Sequence, residues 1–115
     1  MYWYIAKIVY QILISNEKEA AQFEEQLRLI HADTHQEALE KAIAIGEQEE
    51  VLFYNYHDQP VYWKFLDVSE LQPVKQLNDG LQLYSHLEQP EYAEAYLALV
   101  QSKAESVRGE KECLF

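Results

Sequence analysis

Four histidines (His31, His35, His57 and His86) and one cysteine (Cys113) are the side chains that could hold a metal or attack an electrophile. His31 and His35 stand four apart, a spacing that brings two imidazoles together when both lie on one helix. Thr34 lies between them and reads as a helix cap, so the two fall on different elements and no metal site is expected. Cys113 sits beside Glu112 in the terminal "ECLF". A neighbouring carboxylate disfavours the thiolate that a nucleophile needs, so no catalytic residue is assigned there. "NDGLQLYS" offers Asp79, Tyr84 and Ser85. These could form an acid/base cluster at a hairpin end, but a turn at Asp79-Gly80 with Tyr84 as amphipathic cover is the stronger reading. Only Gly46, Gly80 and Gly109 are glycines, too few and too scattered for a phosphate-cradling loop.

Lys7 and Lys64 carry the more informative chemistry. Each is the only base in an otherwise apolar extended stretch, "MYWYIAKIVYQILI" and "VYWKFLDV". An ammonium there snorkels to water, pairs with a carboxylate such as Glu25 on a neighbouring strand, or serves a pocket or interface.

The elements that must position these groups follow from periodicity. Residues 2–14 alternate with a period of two. Tyr2, Tyr4, Ala6, Ile8, Tyr10, Ile12 and Ile14 form a wholly apolar set that belongs in the core. Trp3, Ile5, Lys7, Val9, Gln11 and Leu13 form the opposite set, which must be less buried. "SNEKEAAQ" at 15–22 reads as a hairpin loop. A second strand spans 23–32, with Phe23, Leu27 and Leu29 sharing a face with Glu25 and His31. Thr34 and Glu37 make a capping box. Ala38, Leu39, Ala42 and Ile43 follow at helical spacing, and Gly46 weakens the last turns. "VLFYNYHDQPVYWKFLDV" reads as two extended runs joined at "HDQP". The second, 61–68, has Val61, Trp63, Phe65 and Asp67 on one side and Tyr62, Lys64, Leu66 and Val68 on the other. Asn78-Asp79-Gly80 is a hairpin signal. Pro90 suits the first position of a final helix over 90–107, with Tyr92, Tyr96, Leu99 and Val100 along one face.

The order is strand, strand, helix, strand, strand, helix. It predicts an α+β fold: an antiparallel sheet of four to five strands with two helices packed on one face. Residues 1–108 form one domain of ordinary size and 109–115 a short mobile tail. The first strand's apolar set lies under the helices, and the set with Lys7 faces the side they leave bare.

Nine basic against twenty acidic residues give a net charge of −11, which repels phosphate backbones and anionic lipid surfaces. Nucleic acid and membrane are therefore excluded as partners. A single cysteine rules out an internal disulfide. The apolar N-terminus lacks a basic flank and a small-residue cleavage site, so a cytoplasmic location is expected.

"WYIAK", "LRLIHADTHQEALEKA", "WKFLDVSEL" and "LNDGLQLYSHL", in that order across residues 2–90, resemble a bacterial family catalogued as domain of unknown function 4288. The resemblance implies a small bacterial domain and brings no substrate, cofactor or catalytic residue with it.

Two functions stay open. The first is a non-enzymatic protein-interaction module, partnered by itself as a homodimer or by another protein, through the open sheet face. The second is a small-ligand binder or enzyme with a pocket between sheet and helices, lined by Tyr10, Trp63, Tyr84 and a Lys. The candidate site residues are Trp3, Lys7, Val9, Trp63, Lys64, Asp79 and Tyr84, with no cofactor.

Overall fold

A computed structural model describes residues 1–14 and 21–109. Residues 15–20 of the expected loop at 15–22, and 110–115 of the expected tail at 109–115 with Cys113, lie outside the described residues; Gln22 already belongs to a strand and Gly109 still to a helix. Contacts divide the chain into two compact units, Met1–Leu83 and Tyr84–Phe115.

The first unit carries β1 (Tyr2–Ile14), β2 (Gln22–Ala32), α1 (His35–Gln48), β3 (Val51–Tyr54) and β4 (Pro60–Val74). The strands form one antiparallel sheet in the order β2-β1-β4-β3. The second unit carries α2 (Ala93–Gly109), where the Tyr96 amide donates to the Tyr92 carbonyl at 3.2 Å. The helix starts three residues past Pro90 rather than at it. An antiparallel four-stranded sheet with two helices is the α+β class that the sequence predicts.

α1 begins where the capping box places it. The Glu37 amide donates to Thr34 Oγ1 at 3.1 Å. The Glu37 carboxylate reaches back past the cap, accepting from the Asp33 amide at 3.1 Å. The helix lies on the even face of β1, and small residues set the approach. Ala6, Ala32, Ala38 and Ala42 are fully buried, with Tyr4 and Ile30 completing the cluster. Gly46 does more than weaken a turn. A Cβ there would run into the Phe65 ring, and its carbonyl accepts the Tyr10 hydroxyl at 2.9 Å. Tyr10 is 1% exposed, so its hydroxyl finds the partner that a buried polar group requires.

β4 departs from the sequence reading in length and in phase. It runs to Val74, past the expected end at 68. Its pairing with β1 slips twice: Lys7 faces Glu70 while Ile8 faces Val68, and Val9 faces Asp67 while Tyr10 faces Phe65. Ser69 and Leu66 are the extra residues. Each bulge moves the following side chains to the other face. Val61, Trp63 and Phe65 stay on the α1 side as expected, but Asp67 and Val68 exchange sides. Val68 packs on the core cluster, and the Asp67 carboxylate accepts from the Val68 amide at 2.8 Å.

The Asn78-Asp79-Gly80 turn forms, with Gly80 at φ 87° and the Leu81 amide donating to Asn78 at 3.2 Å. No strand follows it: the residues from Leu81 to Tyr92 are irregular, so the predicted hairpin is a turn alone. The local signal fixes the bend, and pairing needs a free strand beside it.

Candidate functional site

The face of the sheet opposite α1 carries the odd residues of β1. The registers place β2's Phe23, Glu25, Leu27, Leu29 and His31 beside Gln11, Val9, Lys7, Ile5 and Trp3 in turn. On the other flank stand Tyr62, Lys64, Asp67 and Glu70 of β4, opposite Leu13, Gln11, Val9 and Lys7.

Lys7 occupies the middle of this face and is 9% exposed. Its Nζ lies 2.7 Å from Glu70 and 3.9 Å from Glu25. The sequence pointed to Glu25, yet Glu70 makes the close contact. It stands directly opposite Lys7 on β4, a pairing visible only once the register is known. Both carboxylates are about half exposed, so the ammonium is held at the boundary between apolar stems and water.

Around this charged centre the face mixes apolar side chains with Gln11, Glu25, Lys64 and Asp67. Trp3 stacks on His31 with ring centroids 4.2 Å apart, and Val74, opposite Trp3, is buried. Phe23, Leu27 and Leu29 are 56%, 46% and 48% exposed. A shallow groove of about 160 Å³ lies among Ile5, Leu27, Arg28, Leu29, Leu77 and Leu83. Leu77 and Leu83 come from the irregular segment that follows β4, so this segment forms part of the groove wall.

Four of the candidate residues, Trp3, Lys7, Val9 and Lys64, share the open face. Trp63 is on the α1 side, where its Nε1 donates to Glu24 at 3.2 Å and its ring stacks on Phe53. Asp79 is exposed in the 78–81 turn. Tyr84 belongs to the second unit. The sequence groups Phe23, Leu27 and Leu29 on one strand face with Glu25 and His31, as the register has them, but does not offer them or Glu70 as site residues. The signal that could have promoted them was their shared face with Glu25, the carboxylate offered to Lys7; Glu70 needed the strand register.

Between sheet and α1, Tyr4, Ala6, Ile30, Ala32, Ala38 and Ala42 form a buried cluster against which Ile45, Val68 and Leu71 pack. The Tyr10 hydroxyl there is spent on the helix carbonyl, and burial, followed by the charge of Glu49, raises its pKa above the usual tyrosine value. Tyr62 is also raised, by its hydrogen bond to the Glu50 carboxylate. Glu50, just before β3, is tied to β4, accepting from the Phe65 amide and the Tyr62 hydroxyl, both at 2.9 Å. Among the described residues, no three His, Cys, Asp or Glu side chains come together to hold a metal ion. No helix among them is long and apolar enough to cross a membrane.

A family model described as a domain of unknown function (DUF4288) matches residues 3–85. No curated protein and no solved structure matches the chain.

Proposed function

The chain belongs to the DUF4288 family, and from that premise we propose that it is a non-enzymatic protein-interaction module that self-associates through the open face of its sheet. The observation that carries this reading is that Phe23, Leu27 and Leu29 are about half exposed on the same sheet face as Ile5 and Val9, with Leu29 directly beside Ile5. A partly apolar face with charges of both signs is a surface that a two-fold contact can cover, each copy burying the same patch. Lys7, Glu25, Glu70, Asp67 and Lys64 put both signs of charge on that face, so a copy turned over meets complementary charges. The reading carries a bacterial, cytoplasmic setting and excludes nucleic-acid and membrane partners, on the strength of the −11 net charge.

A ligand-binding role has less support. The groove, at about 160 Å³, is about half the roughly 300 Å³ at which ligand pockets begin, and it lacks a set of convergent polar groups.

Val9→Lys tests the reading. Val9 stands between Glu25 and Asp67, so the new ammonium is accommodated in the isolated chain while placing a charge in the middle of the contact. Light scattering on the wild type at micromolar concentration should give at least twice the 13.6 kDa chain mass, and Val9→Lys should halve that value with the thermal unfolding transition retained. A wild-type monomer, or a folded Val9→Lys protein of unchanged mass, overturns the proposal.

A further inference from the structure

β2 is the last strand on its side of the sheet, and it stays extended over Gln22–Ala32 with an unbroken register against β1. The strand contains no proline, and its pairing no bulge. β4 is different: beyond the reach of β3, which pairs only with Pro60–Trp63, its outer edge carries two bulges, the Glu50 carboxylate on the Phe65 amide and Pro73. Those are the devices that keep an edge from pairing with another chain; among the described residues β2 carries only charge and, at its far end, the Lys41 ammonium on the His31 carbonyl at 2.6 Å, which leaves Gln22–Ile30 uncapped.

The charges of β2 are arranged in a way that favours pairing with itself. We propose that the β2 edge pairs antiparallel with β2 of a second copy, in the register that sets Gln26 opposite Gln26. In that register Glu24 faces the second copy's Arg28, and Arg28 faces its Glu24. Phe23 faces Leu29 twice, and Glu25 faces Leu27. Opposite charges and apolar pairs directly across the strands stabilise a ladder, and like charges directly across destabilise it. The neighbouring symmetric registers are poorer. A slip one way sets Glu25 against Glu25. A slip the other way breaks both Glu24–Arg28 pairs and leaves Glu24 opposite Ile30. One further slip in that direction sets Arg28 against Arg28.

Within the chain the same side chains already lie in a line on the α1 side: Arg28 donates to Gln26 at 3.0 and 3.1 Å, and Gln26 donates to Glu24. Arg28 also pairs with Glu49 at 2.7 Å, and Glu24 accepts from Trp63. The row is therefore ordered before a second copy arrives, which lowers the ordering cost of association. Pairing continues the sheet across the two copies and brings Phe23 and Leu29 from both sides into one apolar strip on the open face.

The edge contact is distinct from the face contact, so it is measured in the Val9→Lys background, which removes the latter. If the face reading fails, Val9→Lys simply has the wild-type mass and the edge test is unaffected. In that background Glu24→Arg alone sets Arg against Arg twice, and Arg28→Glu alone sets Glu against Glu twice. Each should weaken association at least about tenfold and run as a monomer in light scattering. An equimolar mixture of the two restores both opposite-charge pairs and should recover a dimer. Gln26→Cys, with Cys113→Ser, should form a disulfide-linked dimer under mild oxidation, while Glu25→Cys in its place should not. The proposal is overturned if the parent is monomeric, if either single variant associates like the parent, if the mixture stays monomeric while both variants keep a cooperative melt, or if the Glu25→Cys protein crosslinks as readily as the Gln26→Cys protein.

Discussion

The two faces of the sheet solve opposite problems. On the α1 face the helix comes close because the residues between are small: Ala6, Ala32, Ala38 and Ala42 are fully buried, and Gly46 lets the Phe65 ring seat against the helix. On the open face the side chains are large and half exposed, and the buried position at the centre is an ammonium, Lys7. The first face has no room for change and the second has room to spare. Substitutions on the α1 side should therefore register in unfolding free energy, and those on the open side chiefly in association.

Gly46→Ala is the most demanding test of that contrast. In an isolated helix the change gains about 1 kcal/mol of propensity. Here the added methyl meets the Phe65 ring, and Phe65 is itself held edge-on against Tyr10 at 6.0 Å, so it cannot swing aside freely. Overpacking should outweigh propensity and leave a net loss of about 1–3 kcal/mol, a fall of roughly 4–8 °C in melting temperature for each kcal/mol lost. A melting temperature that rises would mean that the helix is free to move away from the sheet.

Tyr10→Phe should cost less, about 1 kcal/mol for the hydrogen bond to the Gly46 carbonyl, with the acceptor left partly unsatisfied. It also has a pH signature. Burial, and next the Glu49 charge, raise the folded-state pKa of Tyr10, so the folded chain holds this proton at pH values where the unfolded chain has released it. The stabilisation is fully present below about pH 10, the unfolded value, and is lost as pH rises through the raised folded value. Chemical denaturation across pH 8 to 11 should show the wild type losing stability more steeply than Tyr10→Phe. Parallel curves would show that the hydroxyl is not buried in solution.

The α1 face was largely legible from the sequence and the open face only in part. The strict alternation of β1 identified its core side, because a period of two leaves no other assignment for an all-apolar set. Thr34 and Glu37 marked the helix start, because capping chemistry is local. The role of Gly46 was hidden, since its neighbour Phe65 is remote in sequence. The exchange of Asp67 and Val68 was hidden as well, since a bulge is a property of two strands rather than one. For the same reason Lys7 pointed to a carboxylate without identifying Glu70. The Asn-Asp-Gly signal gave a correct bend and an incorrect hairpin, because a turn is encoded in four residues and a strand pair is not.

Lys7→Met has the smallest expected effect on folding and bears most directly on the open face. The thioether replaces the apolar stem, so the packing that makes Lys7 a buried residue is kept. Glu70 and Glu25 lose their partner, but their side chains are 48% and 61% exposed and can be hydrated in place. An ion pair with one solvated side contributes little, and an apolar replacement of similar volume removes the cost of dehydrating the ammonium. Unfolding free energy should stay within about 1 kcal/mol of the wild type. Association should change more. Without the cation the face loses its central positive charge and keeps Lys64 alone against Glu25, Asp67 and Glu70, so the charge pattern that orients one copy on another is weakened and contacts should lose their fixed stoichiometry. Light scattering on Lys7→Met should give a mass that climbs with concentration rather than settling at a plateau. A loss of several kcal/mol with an unchanged plateau would mean that the Lys7–Glu70 pair holds the strands together and has no part in selecting a partner.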